Sequence, residues 1–172
     1  ADDYTIKIAA KNQTETQNAE ASQIRHSNRQ NFWADFIEYN KNNNGLFSGS
    51  AGTTDSWLGK SIKGFSGVNI NICIYNSSTR SEIYINTGDK AKNKNIFDFL
   101  LSHKIEVEQI FGEELVWQRL DDKVTCRIRI DRNDLSYLNP EHHEAIFAFF
   151  VDTTNRMMKA FTPFAKKYVK SE

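Results

Sequence analysis

At 172 residues the chain fits a single domain able to bury roughly two thirds of the surface its unfolded form exposes, so it needs no disulfide or metal staple. Hydrophobic residues make up 39% of it and phenylalanine alone fills 12 positions, which excludes disorder over most of the length. Lys plus Arg equals Asp plus Glu at 22 each, excluding a global pull toward nucleic acid or an acidic membrane and leaving only local patches to consider.

No apolar run approaches the roughly 20 residues of a membrane helix, and the opening Ala1-Asp2-Asp3-Tyr4 carries no signal peptide. Cys73 and Cys126 lack the spacing of a zinc site or a redox pair and are expected to be ordinary buried thiols in a soluble, cytoplasmic protein. The chain starts without methionine, which favours a piece of a longer polypeptide.

Tyr4 to Ala10 alternates weakly, Tyr4, Ile6 and Ile8 against Thr5 and Lys7, and reads as one short strand. Lys11 to Ser27 turns to Asn, Gln, Thr, Glu and Ala, a polar linker or exposed helical lead-in. Residues 1–27 are therefore expected to be the trailing strand and linker of an upstream domain, and residues 28–172 a single α+β domain. Ser27 or Asn28 can cap a helix in which Phe32, Trp33, Phe36 and Ile37 recur at three-and-four spacing, until Asn42-Asn43-Asn44-Gly45 stops it. Leu46 to Ser56, with its Gly, Ser and Thr, reads as a mobile surface loop.

Three strands follow. Ser56 to Ile62 is weakened by Gly59, the mark of a bulge. Gly67 to Tyr75 sets Val68, Ile70, Ile72 and Ile74 inward and Asn69, Asn71, Cys73 and Tyr75 outward. After a turn over Asn76 to Thr79, Arg80 to Asn86 sets Ile83 and Ile85 inward and Glu82, Tyr84 and Asn86 outward.

Asn95 then caps a helix to about Phe111, with Ile96, Phe97, Leu100, Leu101, Ile105 and Phe111 buried and Gly112 at the exit. Leu115 to Leu120 and Lys123 to Asp131 form a second hairpin around Asp121-Asp122. Its second strand alternates Val124, Cys126, Ile128 and Ile130 against Lys123, Thr125, Arg127 and Arg129. Asn139-Pro140 opens the longest helix by the cap-then-proline pattern, with Ile146, Phe149, Phe150, Thr153, Met157 and Phe161 on its apolar face. Pro163 kinks or ends it. The order α-βββ-α-ββ-α with hairpin-length links predicts an α+β fold, a mostly antiparallel sheet of about five strands with helices packed on one face.

No catalytic signature emerges, and neither a cofactor nor a metal is expected. Adjacent helical residues point about a hundred degrees apart, so His142 and His143 cannot share a metal as i,i+4 histidines do. Asp121 and Asp122 suit a turn, and Glu82-Ile83-Tyr84 has tyrosine where a metal-dependent nuclease needs lysine. What remains is surface character. Lys123, Arg127 and Arg129 on one strand, beside Tyr75, Tyr84, Asn69 and Asn71 on its neighbours, would put cations and aromatics on a common open face able to hold a nucleic-acid backbone and stack a base. The competing reading is a face kept charged for solubility, and Lys90, Lys92 and Lys94 form a second cationic group open to the same two readings.

In order and spacing, four segments resemble the bacterial domain of unknown function 4268, over about Asn28 to Tyr168. They are Phe32-Trp33-x-x-Phe36, Glu82-Ile83-Tyr84-Ile85, Phe97-Asp98-x-Leu100 with Lys104 and Glu108, and Gly112-x-x-Leu115-x-Trp117-x-Arg119-Leu120. Such domains often follow a restriction-endonuclease-like domain in one polypeptide, so the resemblance implies a non-catalytic accessory domain of a nuclease-type, restriction- or defence-like system. It supplies no catalytic residues. Where relatives tend to have tryptophan near the start of the last helix, this chain has Tyr137 and His143. The expected partners are DNA or RNA on the open sheet face and an upstream nuclease domain in the same polypeptide. The alternative is a protein-interaction or dimerisation module, a homodimer among its forms, anchored by Trp57, Phe65 and the aromatic last helix.

Overall fold

In the computed structural model, which describes residues 2–172, the alternation in β2 (Val68–Ile74) becomes two unlike faces. Val68, Ile70, Ile72 and Ile74 are buried on one side, and Asn69, Asn71 and Cys73 lie on the other. Short links make the neighbours antiparallel: β1 (Trp57–Ser61) sets Gly59 opposite Asn71, and β3 (Thr79–Ile85) sets Glu82 opposite Asn71 on the other flank. β5 (Cys126–Arg132) pairs with β3, bringing Ile128 to Ile83 and Arg127 to Tyr84, and β4 (Val116–Gln118) closes the far edge with Trp117 opposite Ile128. The sheet order is β1-β2-β3-β5-β4, antiparallel throughout, as the hairpin-length links require.

The isoleucine side is roofed by α2 (Lys90–Ser102), α3 (Lys104–Phe111), α4 (His143–Ser171) and the last turns of α1 (Asp3–Asn42). Two continuous apolar clusters fill the space. In one, Ile70, Ile83, Ile85 and Ile128 meet Phe97, Leu100, Phe111, Met157 and Phe161; in the other, Ile72 and Ile74 meet Phe32, Trp33, Phe36, Ile146 and Phe150. Trp33 is wholly buried, stacks on Phe150 at 6.2 Å, and donates its indole N–H to the Asp55 carbonyl at 2.9 Å. Tyr137 and His143 both make edge-to-face contacts with Phe32, with ring centroids 5.8 and 5.1 Å apart.

Several local expectations are overturned. Tyr4 to Ala10 is not a strand but the first turns of α1, whose N-cap Asp2 accepts from the Thr5 amide at 2.8 Å. A lone strand would leave its backbone groups unpaired, whereas a helix satisfies them within itself. The helix then runs unbroken through Lys11 to Ser27, so neither Ser27 nor Asn28 caps it. Leu46 to Ser56 is a surface loop as its composition indicates, held at both ends by buried Phe47, whose amide reaches Asn40 Oδ1 at 3.2 Å, and by Asp55 on Trp33.

Asp89, not Asn95, caps α2, and His103 divides the expected single helix into α2 and α3. The break shifts the helical phase beyond it, so Val107 joins the core while Ile105 is 75% exposed; Leu101, ahead of the break, also faces solvent. Val124 lies exposed in the turn before β5 and is no part of that strand. Asn139 accepts from the Glu141 amide to open a short 3-10 turn, Pro140–His142, before α4. Pro163 neither ends α4 nor stops its packing: it sits on the exposed side, and Phe164 and Ala165 beyond it are buried. No described helix is long and apolar enough to cross a membrane.

Candidate functional site on the open sheet face

Because side chains alternate along each strand, the antiparallel register sorts the outward ones into rows. One row runs Asn69, Tyr84, Arg127, Gln118; the next Gly59, Asn71, Glu82, Arg129, Val116; the third Trp57, Cys73, Arg80, Asp131. The middle row begins with the two smallest occupants, Gly59 and Asn71, and is overlooked by Trp57 and Tyr75 at one end and Tyr84 at the other. The result is a cleft of about 310 Å³, lined by Trp57, Asn69, Asn71, Cys73, Tyr75, Glu82, Tyr84 and Arg127 with Ser56 at its margin. A Cβ built on Gly59 would come within 2.3 Å of Asn71 Oδ1, so the missing side chain is what lets the Asn71 amide lie down across β1.

The floor is polar and shielded by its large neighbours. Glu82 is 2% exposed and Asn71 and Cys73 are 7% exposed, although they belong to the face that carries no helix. Glu82 accepts from Arg127 Nε at 3.1 Å and from the Cys73 thiol at 3.4 Å, with Arg80 at 3.8 Å. Arg80 in turn donates to Asp131 at 2.6 Å, and Arg129 donates to Gln118 at 3.0 Å and to Asp131. Arg80 lies over the Tyr75 ring, 5.4 Å from its centroid, and Arg127 over Tyr84, at 6.0 Å. Burial and the nearby Glu82 charge push the Cys73 thiol well above its ordinary range, which keeps it protonated and able to donate. One group is unsatisfied: the buried Asn71 Oδ1 has no hydrogen-bond partner among the described residues.

Of the residues singled out in the sequence, Arg127, Tyr84, Tyr75 and Asn71 converge on this cleft. Arg129 lies one strand position away with its guanidinium turned to Gln118 and Asp131, and Lys123 is not on the strand at all but exposed in the turn before it. Lys94 is no surface cation. It is 6% exposed, and its ammonium donates to the carbonyls of Arg119, Leu120 and Thr125 at 2.6, 2.8 and 2.9 Å, tying α2 to the β4–β5 turn. Phe65, expected as a surface anchor, is buried.

Trp57, read from the sequence as an anchor for a protein partner, and Glu82, read as outward-facing, also line the cleft as wall and floor, and Arg80 beside them is a cation that the sequence does not single out. The available signal was Gly59, whose place opposite Asn71 in a hairpin opens space rather than a bulge. His142 and His143 are engaged in local structure, His142 accepting from the Ser136 amide at 3.0 Å and His143 contacting the Tyr137 carbonyl. Among the described residues no three His, Cys, Asp or Glu side chains gather as a metal would need.

No curated protein and no solved structure matches the chain. The family model described as Domain of unknown function (DUF4268) matches residues 28–165, which hold the whole sheet, α2, α3 and the packed turns of α1, together with most of α4. The chain therefore belongs to the family of domain of unknown function DUF4268.

Proposed function

We propose that this domain is a non-catalytic accessory module of a bacterial, cytoplasmic nuclease-type system, and that it binds single-stranded nucleic acid on the open face of its sheet. The observation that carries this reading is the clustering of Trp57, Tyr75 and Tyr84 with Arg80 and Arg127 around one cleft on that face. Electrostatics favours single strands over duplex. Glu82 and Asp131 offset two of the three arginines on the face, so little charge is left to grip a phosphate backbone, and stacking on exposed rings must supply the larger share. Two free thiols suit a reducing compartment.

Fluorescence anisotropy with short single-stranded and duplex oligonucleotides tests this. The expected result is single-strand binding that weakens modestly with salt, a slope of about −1 in log K against log salt, and that drops when Trp57 or Tyr84 becomes Ala. Single strands left unbound at low ionic strength would remove nucleic acid from the reading, and equal binding by both variants would remove the cleft as its site.

A second reading, a protein-interaction module, draws on α1. Tyr4, Ile6, Ile8 and Ile24 are all exposed on the stretch of it before the packed turns. Sedimentation of the chain with and without residues 1–27 separates the two: self-association lost on truncation favours the second.

A further inference from the structure

The proposed binding of single strands leaves open what the cleft itself selects, and the following step rests on that reading. We propose that the cleft is a base pocket that takes one unstacked guanine, held between aromatic rings and read along its Watson–Crick edge by Glu82 and Asn71.

The size is that of a single nucleoside. About 310 Å³ stands at the lower end of small-ligand sites. The walls are the kind on which bases stack, since Trp57 is 49% exposed and Tyr75 39% exposed, both at the cleft margin. Arg127 at the mouth retains donors beyond its bond to Glu82, suited to a phosphate or a carbonyl oxygen.

The floor decides which base. Asn71 and Glu82 are direct partners across the β2–β3 ladder, so their polar ends lie side by side. An ionised carboxylate accepts at four sites, and the Arg127 and Cys73 bonds use only part of that capacity. Asn71 lines the cleft, its unsatisfied amide oxygen lying against Gly59, and a half-turn of χ2 exchanges that oxygen with the amide nitrogen and presents it to an occupant. With the amide so turned, the floor offers two neighbouring acceptors. Guanine carries two neighbouring donors on one edge, N1–H and N2–H₂. Adenine and cytosine place an amino group beside a ring-nitrogen acceptor, and uracil or thymine sets a single N–H between two carbonyl oxygens, which a carboxylate repels. A site built to receive hydrogen bonds discriminates steeply against partners that lack them.

The test compares binding of a short oligothymidylate with the same strand carrying one central guanine, adenine or cytosine, and separately of the four free ribonucleoside monophosphates. Tighter binding of the guanine strand by about tenfold or more is expected. That preference should vanish in Glu82→Gln and fall in Asn71→Ala. Because Glu82→Gln also disturbs two arginines, thermal melts accompany each variant, and the wild-type base preference stands as a measurement needing no variant at all. Equal affinity for all four strands overturns the guanine pocket while leaving single-strand binding intact. Selective binding of guanosine monophosphate with no strand binding supports the pocket and overturns the broader function. Absence of both defeats the two together.

Discussion

Glu82 stands directly opposite Arg129 in the β3–β5 register yet accepts its hydrogen bond from Arg127, two residues earlier on β5, at 3.1 Å. The diagonal choice frees Arg129 to reach Gln118 on β4 and Asp131, and Asp131 carries the chain of contacts back to Arg80 on β3. A single connected network thus spans the β3, β5 and β4 seams. With its carboxylate almost entirely out of water, Glu82 depends on that network more than any surface acid would.

Removing Arg127 should therefore weaken the fold by more than a surface ion pair does. Arg127→Ala is expected to cost about 1–3 kcal/mol, because Arg80 and the Cys73 thiol remain to share the Glu82 charge. Arg132→Ala, which breaks an exposed pair with Asp134, should cost under about 1 kcal/mol. Urea denaturation of both variants provides the comparison, and equal losses would show that the Glu82 contact is dispensable.

Lys94→Met keeps the stem packed and deletes the ammonium that three carbonyls share. Those acceptors would lose their donor in a site closed to water, so the expected destabilisation is about 2–4 kcal/mol. Loosening should concentrate in the β4–β5 turn, where Leu120 holds a left-handed backbone conformation, and hydrogen exchange would locate it there.

Gly67 has φ near +80°, and a Cβ placed on it would lie 2.4 Å from Thr87 Cγ2 and 3.0 Å from Thr87 Cα. Strain and collision act together. Gly67→Ala is expected to lower stability by about 1–3 kcal/mol, whereas Gly49→Ala, with open space around it, should show only the backbone share of that loss.

The two ends of the tryptophan range make opposite predictions. Trp33→Ala removes a wholly buried ring and its bond to Asp55, for an expected loss of about 3–5 kcal/mol. Trp57→Ala takes away a half-exposed ring and should change thermal stability by no more than about 0.5 kcal/mol while reducing oligonucleotide binding. A large drop in melting temperature for Trp57→Ala would assign that ring to structure instead.

The Cys73 thiol is raised above its ordinary value of 9.0 by burial and by Glu82, so alkylation at pH 8 should be slow in the folded chain and fast in urea. The sign of the stability effect follows. In the unfolded chain the thiol ionises near its ordinary value while the folded one stays protonated, so its contribution is full below pH 9 and declines as the pH rises beyond that. Cys73→Ser or Cys73→Ala should flatten that alkaline decline.

Much of the sheet was legible because period-two alternation is local: Val68 to Ile74 and Ile83, Ile85 needed no knowledge of the rest of the chain to declare their inner face. Arg127, Tyr84, Tyr75 and Asn71 came correctly to the outer one for the same reason. Lys94 was misread because its three carbonyl partners lie 25 to 31 residues away, beyond any local pattern. Tyr4 to Ala10 failed differently: short apolar alternation fits strand and helix alike, and the cap at Asp2 was the cue that separated them. The convergence of Trp57 with Glu82 depended on β1 and β3 flanking the same strand, a matter of sheet order that alternation does not encode.

From Asp2 to Asn28 every residue of α1 is exposed except the half-buried Ser22, so this stretch behaves as a rod standing off the body of the domain. At roughly 1.5 Å per residue it reaches about 40 Å, and each residue added or deleted would swing whatever is joined to its tip by about 100° around the helix axis. Any cargo carried there would have its bearing toward the cleft on the open sheet face fixed by helical phase, making a one-residue deletion more disruptive to their cooperation than the removal of a whole number of turns.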